Sequence, residues 1–261
     1  MTVALAVAPC VLSIAGSDPS GGAGVQADLR TFAALGVDAG AAIAVLTAQN
    51  AREVLGVLAV PVDFITLQID AVFAERDIAA VKVGMLGDAS AVRAVAAALR
   101  AHRPRHVVVD PVLRSTSGTV LLAPPAVEVL RRALLPLATV VTPNAAEAGV
   151  LLERAAPATV REMREAAEAL CALGPLWALV TGGHVAAGAD CVDVLAGVSG
   201  LHELRTLRIP GAERHGTGCV LSSAIAAYLA RGWDVRSACA AAQEFVAAML
   251  AAASTRKVGD T

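Results

Sequence analysis

The sequence predicts an α/β fold: one domain over residues 1–261, with a mostly parallel central sheet flanked by helices on both faces. Three observations predict it. Short β-rich runs alternate with helical patterns from residue 11 to residue 253, the mark of βαβ units around a parallel sheet. The 56% hydrophobic content is largely alanine, valine and leucine with only 3% aromatic, which suits Val-rich buried strands against Ala-rich helices. The residues just past each strand are polar or glycine-rich, as the ligand-binding end of an open parallel sheet should be.

Taken in order, strands are predicted at 11–15, 42–47, 54–60, 80–83, 106–110, 139–142, 176–181 and 191–196. Helices are predicted at 24–35, 62–75, 89–101, 125–134, 145–152, 159–173, 216–231 and 235–253. Pro61, Pro124-Pro125 and Pro157 stand where helices should begin, because proline's fixed φ suits the first helical turn. Residues 189–210, with Gly197 and Gly200 at their centre, predict an antiparallel hairpin at one sheet edge.

A net charge of −2 and the lack of any basic run predict no nucleic-acid partner. Five cysteines, Cys10, Cys171, Cys191, Cys219 and Cys239, show no metal-ligand spacing and read as reduced thiols of a cytoplasmic protein. The apolar opening lacks a basic n-region and runs into a Gly-Ser-Asp turn, so it is expected to be a first buried strand rather than a signal peptide. No membrane partner is expected: uninterrupted apolar stretches fall short of the roughly 18 residues a span needs, and Gln243-Glu244 breaks the longest.

Arg214-His215-Gly216-Thr217-Gly218-Cys219 precedes a helical pattern, and a glycine-rich helix start exposes backbone N–H groups that can cradle an anion. The alternative at such a turn is simple close packing. Cys219 is expected either to pack or to carry a thiol acidified by the helix N-terminus, able to act as a base. Gly22-Ala23-Gly24 opens a helix in the manner of a dinucleotide fingerprint, but the next strand offers Thr47 and Gln49 instead of the acidic ribose partner. Asp28 and Gln49 could bond a small heterocycle, or cap a helix and a strand; Met85 could touch it, or merely pack. Asp110 and Glu147, at neighbouring strand exits, suit a hydrated Mg²⁺ held by carboxylates and substrate phosphates. Together these features describe phosphoryl transfer.

The stretches Ala15-Gly16-Ser17-Asp18-Pro19-Ser20-Gly21-Gly22-Ala23-Gly24, Ala48-Gln49-Asn50, Lys82-Val83-Gly84-Met85-Leu86, Asp110-Pro111-Val112, Thr142-Pro143-Asn144, Gly182-Gly183-His184 and His215-Gly216-Thr217-Gly218-Cys219 carry a resemblance. In order and nearly end to end, the chain resembles the hydroxymethylpyrimidine/phosphomethylpyrimidine kinases of the ribokinase-like superfamily. The resemblance implies phosphorylation of 4-amino-5-hydroxymethyl-2-methylpyrimidine, and in many members of its monophosphate, with ATP and Mg²⁺ as cofactors. It implies pyrimidine contacts from Gly16, Ala23, Asp28, Gln49, Met85 and Val112, and a metal and phosphate environment from Asp110, Asn144 and Glu147. It further implies an anion hole and base from Gly216, Thr217, Gly218 and Cys219, and a homodimer.

The chain departs from the resembled family's pattern in its loops, and the lost cations bear on the nucleotide. The loop Arg114-Ser115-Thr116-Ser117-Gly118 lacks a lysine, Thr181 stands where relatives usually have lysine before Gly182-Gly183, and Glu213-Arg214 replaces Asn-Thr. Arg114 or Arg214 is expected to supply part of the missing positive charge. A pyridoxal kinase of the same superfamily, or a catalytically silent pyrimidine-binding protein, are the alternatives at this point.

Overall fold

The computed structural model describes residues 8–50, 53–115, 118–183, 185, 190–209 and 216–258. Nine strands form one sheet: β1 (Cys10–Ser17), β2 (Asp38–Gln49), β3 (Val54–Ala59), β4 (Ile78–Val83), β5 (His106–Val109), β6 (Val140–Val141), β7 (Trp177–Val180), β8 (Asp190–Gly197) and β9 (Gly200–Leu207). Their order is β3-β2-β1-β4-β5-β6-β7-β8-β9. The central six are parallel, while β3 and the β8–β9 hairpin pair antiparallel at the two edges, as the hairpin pattern predicts. After β3 the chain returns to the far side of β1, so the strand order reverses between β1 and β4. A ligand crevice is expected beyond the carboxyl ends of strands at such a reversal.

Side chains alternate faithfully between the two faces. Leu12, Ile14, Val81, Val83, Val107 and Val109 face a core shared with α2 (Val62–Glu75), α3 (Ala89–His102), α4 (Pro124–Val129), α5 (Ala145–Leu151) and α6 (Val160–Cys171). Val11, Ala80, Val108, Val140, Leu179 and Leu195 face a second core with α1 (Gly24–Ala34), α7 (Thr217–Ala230) and α8 (Val235–Val258). Period-2 alternation in strands apolar on both sides is what a sheet covered twice requires.

Three expectations change. β2 begins at Asp38 rather than 42, because the weak strand formers Ala39, Gly40 and Ala41 are held in register against Val11, Leu12 and Ser13. The helix predicted over 125–134 is α-helical only to Val129; Leu130–Leu134 widens into a π-turn and Leu135–Leu137, with Pro136 inside it, tightens into a 3₁₀ turn. Val235–Ser254 of α8 is, among the described residues, one helix long and apolar enough to cross a membrane by length and composition. Ala238, Cys239 and Ala242 of that helix are buried in the second core.

Candidate active site

At the exit of β1 the chain turns around Asp18. Its Oδ1 accepts the Ser20 N–H at 2.9 Å and the Ser20 hydroxyl at 2.7 Å, and its Oδ2 accepts the Ala23 N–H at 2.8 Å. The Asp18 N–H donates to Gln26 Oε1 at 2.9 Å, and Gln26 Nε2 donates to Ser17 Oγ at 2.8 Å. This small network shapes the glycine-rich loop. Asp18 carried no role in the sequence reading, although an aspartate ahead of Pro-Ser-Gly is a usable turn signal.

Gly216, the N-cap of α7, has φ +86, and a Cβ there would stand 1.9 Å from the Gly22 carbonyl oxygen. Only glycine allows both that left-handed backbone and that approach. The first and last motifs of the chain therefore meet, with the α7 N-terminus against the β1–α1 loop. A methyl group on Gly16 would lie 3.4 Å from the Met85 sulfur, which places Gly16 of β1 beside Met85, two residues past the end of β4. Gln49 ends β2 beside Thr47, whose hydroxyl bonds the Ser17 carbonyl at 2.8 Å, and Val112 follows Asp110 half-buried.

Beneath this rim lies a buried polar cluster on the α1–α7 face. Lys82 Nζ donates to Asp28 Oδ1 at 2.9 Å and Oδ2 at 3.0 Å, both side chains being 0% exposed. Ser13 donates to Oδ2 at 2.6 Å and Ser223 to Oδ1 at 2.7 Å. With two donors on each oxygen the Asp28 carboxylate is saturated. This corrects the expectation that Asp28 offers hydrogen bonds to a heterocycle: here it serves Lys82 and two serines in the interior. Lys82 has no role in the sequence reading beyond its place in a motif, yet a lone lysine in the apolar strand Ile78–Val83 was the available signal. Burial works to neutralise Lys82, but the Asp28 charge prevails and holds it protonated.

Asp110, just past β5, is buried and accepts the Ser222 hydroxyl at 3.1 Å. Burial raises its pKa while Lys82 opposes that rise. Glu147 is pushed up to about 8, by burial first and by the Asp110 charge second. Glu147 and Asn144 form a capping box on α5: Glu147 Oε2 accepts the Asn144 N–H at 2.9 Å, and Asn144 Oδ1 accepts the Glu147 N–H at 3.0 Å. Among the described residues, Glu147 Oε1 is engaged by a long 3.5 Å contact from the Leu113 N–H. Two carboxylates that burden one another, one with an oxygen barely engaged, fit a hydrated Mg²⁺, which takes one or two such ligands. Among the described residues no group of three or more His, Cys, Asp or Glu could form a closed metal cage.

Cys219 lies in the first turn of α7, and the expected acidified thiol is not found. Burial pushes it up to about 12; Lys82 pulls it down, while Asp110 and Asp28 add to the rise. Desolvation and two carboxylates outweigh the Lys82 charge and the hydrogen bond with the Gly24 backbone. The thiol at rest is protonated. Of the residues expected to face the nucleotide, Thr181 bridges to Asn144 just past β7, and Gly183 follows. Arg114 is exposed and donates to the Gly118 carbonyl at 3.2 Å within its own hairpin; Arg214 and His184 lie outside the described residues.

Comparison with known proteins adds to this geometry. The family model described as phosphomethylpyrimidine kinase matches residues 18–260. A hydroxymethylpyrimidine/phosphomethylpyrimidine kinase of Rhizobium meliloti is 46% identical over 95% of this chain and 92% of its own length. A crystal structure of phosphomethylpyrimidine kinase from Clostridium difficile superposes with TM-score 0.82 at 36% identity, covering 92% of this chain and 99% of that one. Pyridoxal kinase from Staphylococcus aureus in complex with AMP-PCP superposes with TM-score 0.85 at 32% identity, covering 93% and 88%.

Proposed function

The chain belongs to the phosphomethylpyrimidine kinase family, and from that membership we propose that it transfers the terminal phosphoryl group of ATP to the hydroxymethyl oxygen of the hydroxymethylpyrimidine precursor of thiamine, and then to the resulting monophosphate. The observation that carries the assignment is the meeting of the Gly216 turn with the Gly22-Ala23 loop. It sets the amides at the start of α7 beside the loop proposed to hold the ring. Gly16, Ala23, Gln49, Met85 and Val112 line the ring side, and Asp28 acts from beneath through Lys82. Gly216, Thr217 and Gly218 offer main-chain amides to the moving phosphoryl oxygens. Asn144, Thr181 and Gly183 take the nucleotide side, and Arg114 and Arg214 are the cations assigned in place of the family lysines.

Asp110 and Glu147 would hold Mg²⁺, which when bound supplies charge neutralisation across the nucleotide phosphates. Cys219 is assigned the proton of the attacking hydroxyl. Its pKa is raised by burial first and by the Asp110 and Asp28 charges after it, so this role requires that cost to be offset when the substrates bind. We place the protein in the cytoplasm as a homodimer. The pairing surface is the face of the β2–β3 edge on which Leu46 and Leu58 stand in register, 42% and 65% exposed; Leu55 and Val57 are exposed on the opposite face. The kinase resemblance to a pyridoxal enzyme keeps pyridoxal as the second substrate to be tested. The deciding experiment incubates purified protein with MgATP and the pyrimidine alcohol, its monophosphate or pyridoxal in turn, and separates products by mass. Monophosphate and diphosphate of the pyrimidine are expected; phosphorylated pyridoxal alone, or no product, would reverse the assignment.

A further inference from the structure

Away from the reacting groups, β8 carries a carboxylate with an unusual set of demands. Asp193 is buried, on the α8 side of the sheet, one residue before Val194, which pairs with Val180. Its Oδ1 accepts the Gly182 N–H at 2.8 Å and its Oδ2 accepts Gln243 Nε2 from α8 at 3.0 Å. The same Gln243 nitrogen donates to the Leu204 carbonyl of β9 at 3.1 Å. A backbone carbonyl can only accept, so the Gln243 amide cannot turn round without placing two oxygens together. Residue 193 must therefore present an acceptor to each of two fixed donors. A carboxylate satisfies both, whereas an asparagine of the same shape would aim its NH₂ at one of them.

The segment Asp193 grips is the turn after β7. A Cβ on Gly182 would lie 2.0 Å from the Val192 carbonyl oxygen, so the turn is seated directly on β8. Arg208, past the end of β9, closes the other side: Nη1 donates to the Gly183 carbonyl at 2.5 Å and Nη2 to the Val185 carbonyl at 2.8 Å. One amide is drawn down and two carbonyls are drawn outward. The backbone at Gly182, Gly183 and Val185 is thus held from two directions by residues outside the reaction.

We propose that Asp193, keyed to α8 through Gln243 and opposed by Arg208, is a positioning residue that presets the Thr181–Gly183 turn for the nucleotide. The inference rests on the reading of that turn as the nucleotide side of the site. The test uses the full-length protein and two separate readouts: the KM for ATP against kcat and the pyrimidine KM, and ADP affinity by calorimetry without turnover. Asp193→Asn is expected to raise the ATP KM and the ADP Kd by about tenfold, lowering kcat less than threefold and moving the pyrimidine KM less than twofold. Gln243→Leu, which spares the carboxylate, is expected to give a smaller change in the same two constants and serves if the first variant folds poorly. A general loss of folded protein would lower kcat and leave both KM values in place; that result overturns the inference. Thr181→Ala separates the two levels. ADP binding weakened by Thr181→Ala but untouched by either Asp193→Asn or Gln243→Leu sinks the positioning role and spares the turn's assignment, while no effect in all three variants removes both.

Discussion

Lys82 and Asp28 form a fully buried ion pair, 2.9 Å and 3.0 Å from the ammonium to the two carboxylate oxygens, where the sequence suggested a carboxylate open to a ligand. The pair ties β4 to α1, and the serines on Asp28 bring in β1 and α7. Four elements thus share one polar knot directly under the candidate site. Removing one partner of such a pair strands the other without compensation and typically costs about 3–5 kcal/mol. Lys82→Met and Asp28→Asn are each expected to destabilise by that amount in urea titration, and the double variant by clearly less than their sum. Additive losses would mean that the two side chains do not depend on each other.

Gly216 makes a sharper prediction about function. Gly216→Ala must place a methyl group where the Gly22 carbonyl oxygen stands and adopt φ +86 with a side chain. The left-handed backbone costs about 1–2 kcal/mol, and displacement of reacting groups by an ångström can cost about 100-fold in rate. Steady-state kinetics should show kcat/KM down by about two orders of magnitude with Tm lowered by only a few degrees. A variant with parental kinetics would show that the contact between the two loops is not needed for turnover.

Glu147, raised to about 8 from its ordinary 4.5, predicts a pH signature. The folded state binds this proton more tightly than the unfolded one, so Glu147 lowers stability progressively as pH rises from about 4.5 to 8. The penalty is complete above the folded value and absent below the unfolded one. Glu147→Gln should flatten that slope in denaturant titrations across the range. In the parent, Mg²⁺ should raise Tm more at pH 8 than at pH 6, and in Glu147→Gln the increment should shrink at both. Equal Mg²⁺ responses in the two proteins would detach the metal from Glu147.

Cys219, at about 12, should be a poor nucleophile before substrates bind. Since alkylation needs the thiolate, iodoacetamide at pH 7.5 should modify Cys219 at least about 100-fold more slowly than an ordinary thiol of pKa about 8.5. Peptide mapping with time will report it. Cys219→Ala should lower kcat by about 100-fold to 10,000-fold if the thiol carries the substrate proton. Rapid labelling in the free enzyme would contradict the burial and carboxylate argument; full turnover in Cys219→Ala would move the proton elsewhere.

At the β2–β3 edge, Leu58→Asp places a charge opposite exposed Leu46 on the same face of the sheet. Sedimentation at micromolar concentration should show the parent at twice its chain mass and the variant at one. Equal masses for the two proteins would exclude this edge as the pairing surface.

The sheet was legible because its strands are valine-rich runs closed by polar exits: 80–83 and 106–110 come within two residues of β4 and β5. β2 was only half legible, since Ala39-Gly40-Ala41 gain strand structure from the neighbouring β1 and not from their own preference. The glycine-rich loops at 16–24 and 216–218 were legible as candidate ligand loops through residue type alone, whereas their contact with each other was not. Charge partnerships were not written there. Whether Asp28 faces a ligand or a lysine, and whether Cys219 gains or loses acidity, depends on sums over side chains from separate helices and strands that no local pattern encodes. Asp193 and Gln243 escaped notice for the same reason: each is an ordinary polar residue until the fold brings its partner.

Ser223 and Asp28 bond across 195 positions of chain. During synthesis, α1 and the first five strands emerge long before the helix that completes their polar floor. Until α7 arrives, Lys82 and Asp28 lack their lid and the amide cradle does not yet exist. Closing so long a span is entropically slow, so competence should come late in folding, after most secondary structure has formed. A refolding time course should accordingly show ellipticity recovering ahead of turnover.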